Sequence, residues 1–139
     1  MRLVLDTNVL VSALLGKDSP PAQLLAHWPR GRYQILTAAL QLEELRRVTR
    51  YPQIRQRLRP ALAGELVNAL VEFAERVEPA HGITASPDPA DNVLLAIAQA
   101  GDADYLVSGD KRHVLSLKRH EKTRIVTVRT MLEILEAHK

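Results

Sequence analysis

Apolar positions along this chain fall alternately into short unbroken runs and into repeats at helical spacing. Leu3, Val4 and Leu5 form one such run, closed by Asp6, Thr7 and Asn8, and a second apolar stretch follows from Val9 to Leu15. A short apolar run bounded by polar residues predicts a strand buried on both faces, as in the middle of a parallel sheet. Residues 2–5 therefore read as a strand and 9–15 as a helix. Beyond a loop, 22–28 reads as a short helix stopped by Pro29 and 33–36 as a second strand. Thr37 is placed to cap a helix from 38 to about 50, which Tyr51-Pro52 ends. Residues 53–59 are basic and read as a short helix or a loop. Leu62, Leu66, Leu70, Phe73 and Val77 recur at helical spacing and predict a helix over 61–76.

The second half continues the alternation. Residues 77–80 read as a short third strand, 81–87 as a polar loop and 89–100 as a helix. An apolar strand at 105–107 runs into Ser108-Gly109-Asp110. Residues 111–121 are basic and partly helical, 124–128 form a last strand, and Thr130 is expected to cap a final helix to about 137. Strands alternating with helices at this spacing predict βαβ units, hence an α/β fold with a parallel sheet covered by helices. No repeat, low-complexity tract or linker divides the 139 residues, which read as one domain spanning 1–139.

Composition excludes more than it selects. The absence of cysteine removes disulfide scaffolds and thiolate metal sites and fits a cytoplasmic protein. Asp6 and Asn8 interrupt the early apolar region, so it does not read as a secretory signal, and no stretch reaches the length of a membrane span. The net charge of +3 leans toward a polyanionic partner.

Four carboxylates carry the chemistry. Asp6 stands at the carboxyl end of the first strand, the edge where open α/β sheets gather their ligands; it could equally cap the helix that follows. The strand ending at Asp110 repeats that pattern and delivers a second carboxylate to the same edge. In Asp88-Pro89-Ala90-Asp91, proline takes the first helical position, so Asp88 is the N-cap and Asp91 the third helical residue. Leu94 and Leu95 follow Asp91 by three and four residues, which puts its side chain on the face that packs on the sheet. Favouring the positive end of the helix dipole, worth about 0.3–1 kcal/mol, is the plainer account of Asp91. Of Glu43 and Glu44, the first lies three and four residues before Arg46 and Arg47 and reads as half of a surface ion pair. Glu44, with Leu40 and Val48 four residues either side, reads as inward, although Glu43 stays open as the alternative. Clustered acids repel and raise one another's pKa, and a divalent cation resolves that conflict. Oxygen ligands without cysteine, and five histidines at no ligand-like spacing, select Mg²⁺ or Mn²⁺.

Two basic stretches, Arg46, Arg47, Arg50, Arg55, Arg57 and Arg59, then Lys111, Arg112, Lys118, Arg119, Lys122 and Arg124, are expected to rim the acids, with Arg46, Arg47, Arg50, Lys111 and Arg112 as the candidate contacts to a polyanion's phosphates. The plainer reading is two solvated helix faces. Aromatic residues make up only 4%, which leaves little provision for stacking bases.

Read together, DTN near the start, EEL on an early helix, DPADN opening a later one and SGD after a strand resemble the PIN domain family, most closely the PIN proteins grouped as toxin components of toxin–antitoxin modules. The resemblance covers essentially the whole chain. It implies a three-layer α/β/α domain with a central parallel sheet of about five strands. The activity implied is that of a Mg²⁺- or Mn²⁺-dependent endoribonuclease using one or two ions, with an antitoxin protein as partner and a homodimer as its assembly. The family's acidic positions fall on Asp6, Glu44, Asp91 and Asp110, and Asn8 and Ser108 match its supporting polar positions. Where the family commonly continues past the fourth acid with a further Asp and a Leu pair, this chain has Lys111, Arg112, His113, Val114 and Leu115. The other readings are a phosphatase built on an aspartyl nucleophile, weakened because Asn8 stands where its second Asp is needed, a non-catalytic RNA- or protein-binding module, and a housekeeping RNA-processing nuclease.

Overall fold

Strand β1 (Arg2–Leu5) is the axis of the sheet: it pairs in parallel with β2 (Gln34–Thr37) on one side and with β4 (Tyr105–Ser108) on the other. The computed structural model describes every residue except Asp110, Lys111 and Lys139, and Arg112 by its backbone alone. Beyond β2 lies the two-residue strand β3 (Glu75–Arg76), and beyond β4 lie β6 (Thr123–Thr127) and β5 (Arg119–His120), giving the order β3-β2-β1-β4-β6-β5. All pairings are parallel except β5 with β6. The chain thus winds outward from β1 through β2 to β3, then returns to the other side of β1 to lay down β4. The reversal falls between β1 and β4.

Period-two alternation explains why these strands read as solid apolar runs. Leu3 and Leu5 face one layer, with Ile35, Val107 and Val126; Val4 faces the other, with Leu36, Leu106 and Ile125. The first layer holds α1 (Thr7–Leu15), α2 (Pro20–Ala26), α3 (Ala39–Val48), α5 (Pro60–Phe73) and α8 (Val128–Ala137). The second holds α6 (Pro89–Ala100) and α7 (Arg112–Leu117), packed through Leu94, Leu95, Ile97 and Val114. A further turn of helix, α4 (Pro52–Arg55), joins α3 to α5. Each fully buried leucine or isoleucine of these layers contributes about 1.5–3 kcal/mol. The three-layer α/β/α arrangement implied by the resemblance is therefore the one observed.

Several expectations are corrected. The sheet has six strands among the described residues rather than about five, and the extra one, β5, arises because the chain turns back through Lys118 and Glu121, both at positive φ, within a stretch expected to be only partly helical. The third strand lies at Glu75–Arg76, not at 77–80, because α5 ends at Phe73; Val77 still donates its N–H to Thr37 O at 2.8 Å. Phe73 does not share the buried face: it is exposed, while Leu66, Val67 and Leu70 pack inward. Thr37 does not cap α3, whose N-cap is Ala38. The last helix is capped by Thr127, whose hydroxyl accepts from Thr130 N, and not by Thr130.

At the amino edge of the sheet, Arg2 holds three elements together. Its guanidinium pairs with Glu75 of β3, Nε donates to Gly101 O at 2.8 Å, and its backbone N–H donates to Asp104 Oδ2 at 2.7 Å. Gly101, where α6 ends, is pressed against the core: a Cβ there would meet Leu36 Cδ1 at 2.6 Å, and Leu36 is fully buried. Gly101→Ala is therefore expected to overpack the sheet and destabilise the protein by about 1–3 kcal/mol, read as a lower urea midpoint at unchanged m-value; an unchanged midpoint would refute the tight approach.

Candidate active site

The helix that follows a strand and the helix that precedes one both present their N-termini to the carboxyl edge of a parallel sheet. That edge here receives Asp6 from the end of β1, Ser108 from the end of β4, Thr37 from the end of β2, and the first turns of α3 and α6. Asp6 is 1% exposed and works with both of its oxygens. Oδ1 accepts from the backbone N–H of Asn8 at 3.0 Å, which caps α1, and Oδ2 accepts from Ser108 Oγ at 3.0 Å. Capping and facing the sheet edge are therefore not alternatives for Asp6. Thr7 is not the cap: it is buried in the first turn of α1, and its Oγ1 has no hydrogen-bond partner among the described residues. The Ser108–Asp6 contact spans the reversal between β1 and β4, where open α/β sheets bind their ligands.

Asp91 is likewise 1% exposed. Asp88 is the N-cap of α6, accepting from Ala90 N at 2.9 Å, and Asp91 is the third helical residue, as the Asp-Pro spacing predicts. Its Oδ2 accepts from Ser86 Oγ at 3.0 Å. Ser86, in a stretch expected only as a polar loop, is the residue that sequence reasoning missed. It is buried, and Asn92 fixes it: Asn92 Nδ2 donates to Ser86 O at 2.8 Å and Ser86 N donates to Asn92 Oδ1 at 2.9 Å. The signal was a serine two residues before Asp88-Pro89, a spacing at which hydroxyls bond locally to backbone; Asp88 N indeed donates to Ser86 Oγ at 3.2 Å.

Glu43 and Glu44 both line a cleft of about 190 Å³ between α3 and α6, together with Gln41, Arg47, Ala90, Val93 and Leu94. Glu44 is half-buried and Glu43 exposed. Two arguments used for the pair do not survive: Leu40 is 55% exposed and so marks no apolar face, and among the described residues Glu43 forms no ion pair with Arg46 or Arg47. What anchors α3 beside the acids is Gln41, a second residue not anticipated. Its Nε2 donates to Leu5 O at 2.6 Å and its Oε1 accepts from Thr37 Oγ1 at 2.7 Å, tying the helix to the ends of β1 and β2.

Asp110 and Lys111 lie outside the described residues, as does the side chain of Arg112. Asn8 is exposed, with its backbone N–H on Asp6. Arg46 and Arg47 are exposed in the last turn of α3, and Arg50 is exposed just beyond its end. The far end of the second basic stretch, from Arg119 on, does not rim the acids. The β5–β6 turn carries it back to the opposite edge, where Arg119, Lys122 and Arg124 surround Met1, Asp104 and Tyr105, with the Arg124 guanidinium 5.7 Å from the Tyr105 ring centre.

Among the described residues no group of three or more His, Cys, Asp and Glu is arranged to hold a metal ion. Asp6 and Asp91 supply oxygen donors only, each steadied by a serine hydroxyl, and a carboxylate oxygen carries two lone pairs, so one hydrogen bond does not prevent ligation. This donor chemistry fits a hard divalent cation.

A family model described as PIN domain matches residues 2–112. Among solved structures, the chain resembles one in the crystal structure of VapBC2 from Rickettsia felis bound to a DNA fragment from their promoter, with a TM-score of 0.59 over 91% of this chain and 98% of that chain at 16% sequence identity. No curated protein matches the sequence.

The double duty of Asp6 separates two substitutions. Asp6→Ala removes the cap of α1 and is expected to cost about 0.5–2 kcal/mol, whereas Asp6→Asn keeps an acceptor oxygen and costs only a few tenths. Equal urea midpoints for the two variants would contradict the capping geometry.

Proposed function

Because the chain belongs to the PIN domain family, whose members are generally nucleases, we propose that it is a Mg²⁺- or Mn²⁺-dependent endoribonuclease acting on locally single-stranded RNA, with residues 1–139 as one catalytic unit. The observation that carries the reading is the pair of buried carboxylates, Asp6 and Asp91, brought to the carboxyl edge of the sheet and each held by a serine hydroxyl. Asp6, Asp91, Asp110 and Glu44 are the proposed ligands of one or two ions. Such an ion supplies a nucleophilic water and stabilises the charge developing on a phosphodiester. The chain's own residues do the positioning. Ser108 and Ser86 hold Asp6 and Asp91, Asn92 holds Ser86, and Gln41 ties α3, which carries Glu44, to the ends of β1 and β2. Asn8 takes a supporting place beside Asp6, and Arg46, Arg47, Arg50, Lys111 and Arg112 are the proposed contacts to RNA phosphates.

The likeness to a chain of a VapBC complex supports a role as the toxin of a two-protein module with a cognate antitoxin. A homodimer is the assembly proposed with it. No described helix is long and apolar enough to cross a membrane. A cytoplasmic location is part of the same proposal.

Asp6→Asn and Asp91→Asn are each expected to abolish cleavage of a labelled RNA in Mn²⁺ while leaving the far-UV spectrum and the urea transition intact, and EDTA is expected to abolish wild-type cleavage. Undiminished cleavage by the double variant overturns the reading. Ser86→Ala and Ser108→Ala are expected to weaken Mn²⁺ binding about 10–100-fold in calorimetry. Absence of any carboxylate-dependent Mn²⁺ binding would favour a non-catalytic binding module.

A further inference from the structure

Apart from the acidic cleft, a groove of about 360 Å³ between α3, α4 and α5 is lined by three arginines. Arg46 in the last turn of α3, Arg50 two residues beyond its end and Arg55 of α4 line the groove together with Ala63, Gly64 and Asn68 of α5. No acidic side chain lines it, and no salt bridge among the described residues engages any of the three arginines. Last-turn basic residues are expected where a helix ends in partial negative charge, which accounts for Arg46. It does not account for Arg55, nor for the shape of the facing wall.

Gly64 sits in the interior of α5, where glycine costs about 1 kcal/mol relative to alanine. A Cβ at Gly64 would meet nothing within 4 Å, so no packing demand within the protein explains the glycine. Its absent side chain leaves the groove open opposite the arginines. The Thr49 hydroxyl is turned away, donating to Leu45 O at 2.8 Å, so the polar groups presented to a ligand are three guanidinium forks and the Asn68 amide. Guanidinium forks match phosphate oxygens bidentately. No aromatic side chain lines the groove, so bases have no stacking platform there.

We infer that this groove is a phosphate-backbone track for a single RNA strand, carrying the strand along α3 to or from the acidic cleft. Continuity comes from α3 itself: Arg47 lines the cleft with Glu43 and Glu44, and Arg46 and Arg50 line the groove beside it. From Glu44 to the end of α3 at Val48 the helix rises only about 6 Å at 1.5 Å per residue, and Arg50 follows two residues later. The inference rests on the nuclease reading of the cleft for the direction of the strand, and on the groove alone for the binding.

The test measures binding of a labelled 20-nucleotide single-stranded RNA by anisotropy across a salt series in EDTA, so that no cleavage is required. Arg50→Ala and Arg55→Ala are each expected to flatten the slope of log affinity against log salt by about 0.7, the value for one phosphate contact on a single strand. Gly64→Leu, which fills the groove without altering charge, is expected to weaken binding several-fold with the thermal midpoint unchanged or raised. Unchanged slopes and affinity in all three variants overturn the track. So does competition by polyglutamate as effective as that of unlabelled RNA and with the same arginine dependence, since that assigns the groove to an acidic protein segment. A wild-type protein that binds RNA in this way but cleaves none in Mn²⁺ sinks the nuclease reading and leaves the groove standing.

Discussion

Two carboxylates buried at the edge of a sheet are the constraint on which this structure turns. An ionised acid withdrawn from water is costly unless it is hydrogen-bonded or meets a positive charge, and the fold answers for Asp6 and Asp91 with the same device, a serine hydroxyl at 3.0 Å. The two serines reach their places differently. Ser108 arrives with the register of β4 on β1, so the sheet that buries Asp6 also delivers its donor. Ser86 has no such scaffold, and its loop is held by both ends of the Asn92 side chain, one helical residue beyond Asp91. The donor to Asp91 is thus fixed by α6 itself.

Sheet order then decides what else can reach the same place. Because β1 is paired early with β2 and only later with β4, the chain reverses between β1 and β4, and no helix-bearing crossover covers the edge between them. Burial of both sheet faces holds this geometry, since Leu3 and Leu5 are locked into one layer and Val4 into the other, and a slip of one residue would exchange them. Gln41 transmits the register outward. By bonding Leu5 O and Thr37 Oγ1 it ties the first turn of α3 to two strand ends, and Glu43 and Glu44 follow by helical geometry.

What the sequence revealed was whatever local spacing controls. The apolar runs at 3–5 and 105–107 identified the central strands, and Asp-Pro-Ala-Asp identified both the cap and the inward acid of α6, because proline fixes the register of the helix start. What stayed hidden depends on contacts distant in sequence. Gln41 looked like an ordinary helix-surface residue; its value comes from a partner 36 positions away. Ser86 gave a weak local signal, and its link to Asp91 depends on how the loop folds over α6. The far end of the second basic stretch was misplaced for a related reason: a two-residue strand with no apolar pattern, Arg119–His120, reverses the chain and carries Arg119, Lys122 and Arg124 to the far edge.

With Arg119, Lys122 and Arg124 removed from the site, the charge along α3 carries more of the argument. Its acids, Glu43 and Glu44, precede its bases, Arg46 and Arg47, which is the order the helix dipole favours, so the helix needs no ligand to explain the sequence of charges. The dipole acts along one axis only and says nothing about what lies across from it. Arg55 belongs to a different helix, and Gly64 weakens the helix it occupies while leaving open space opposite the arginines. A solvated basic face requires neither. Two features from separate elements, one adding charge and one withholding bulk around the same groove, are accounted for together by a phosphate chain that must lie close to the α5 backbone, which a side chain at position 64 would hold away.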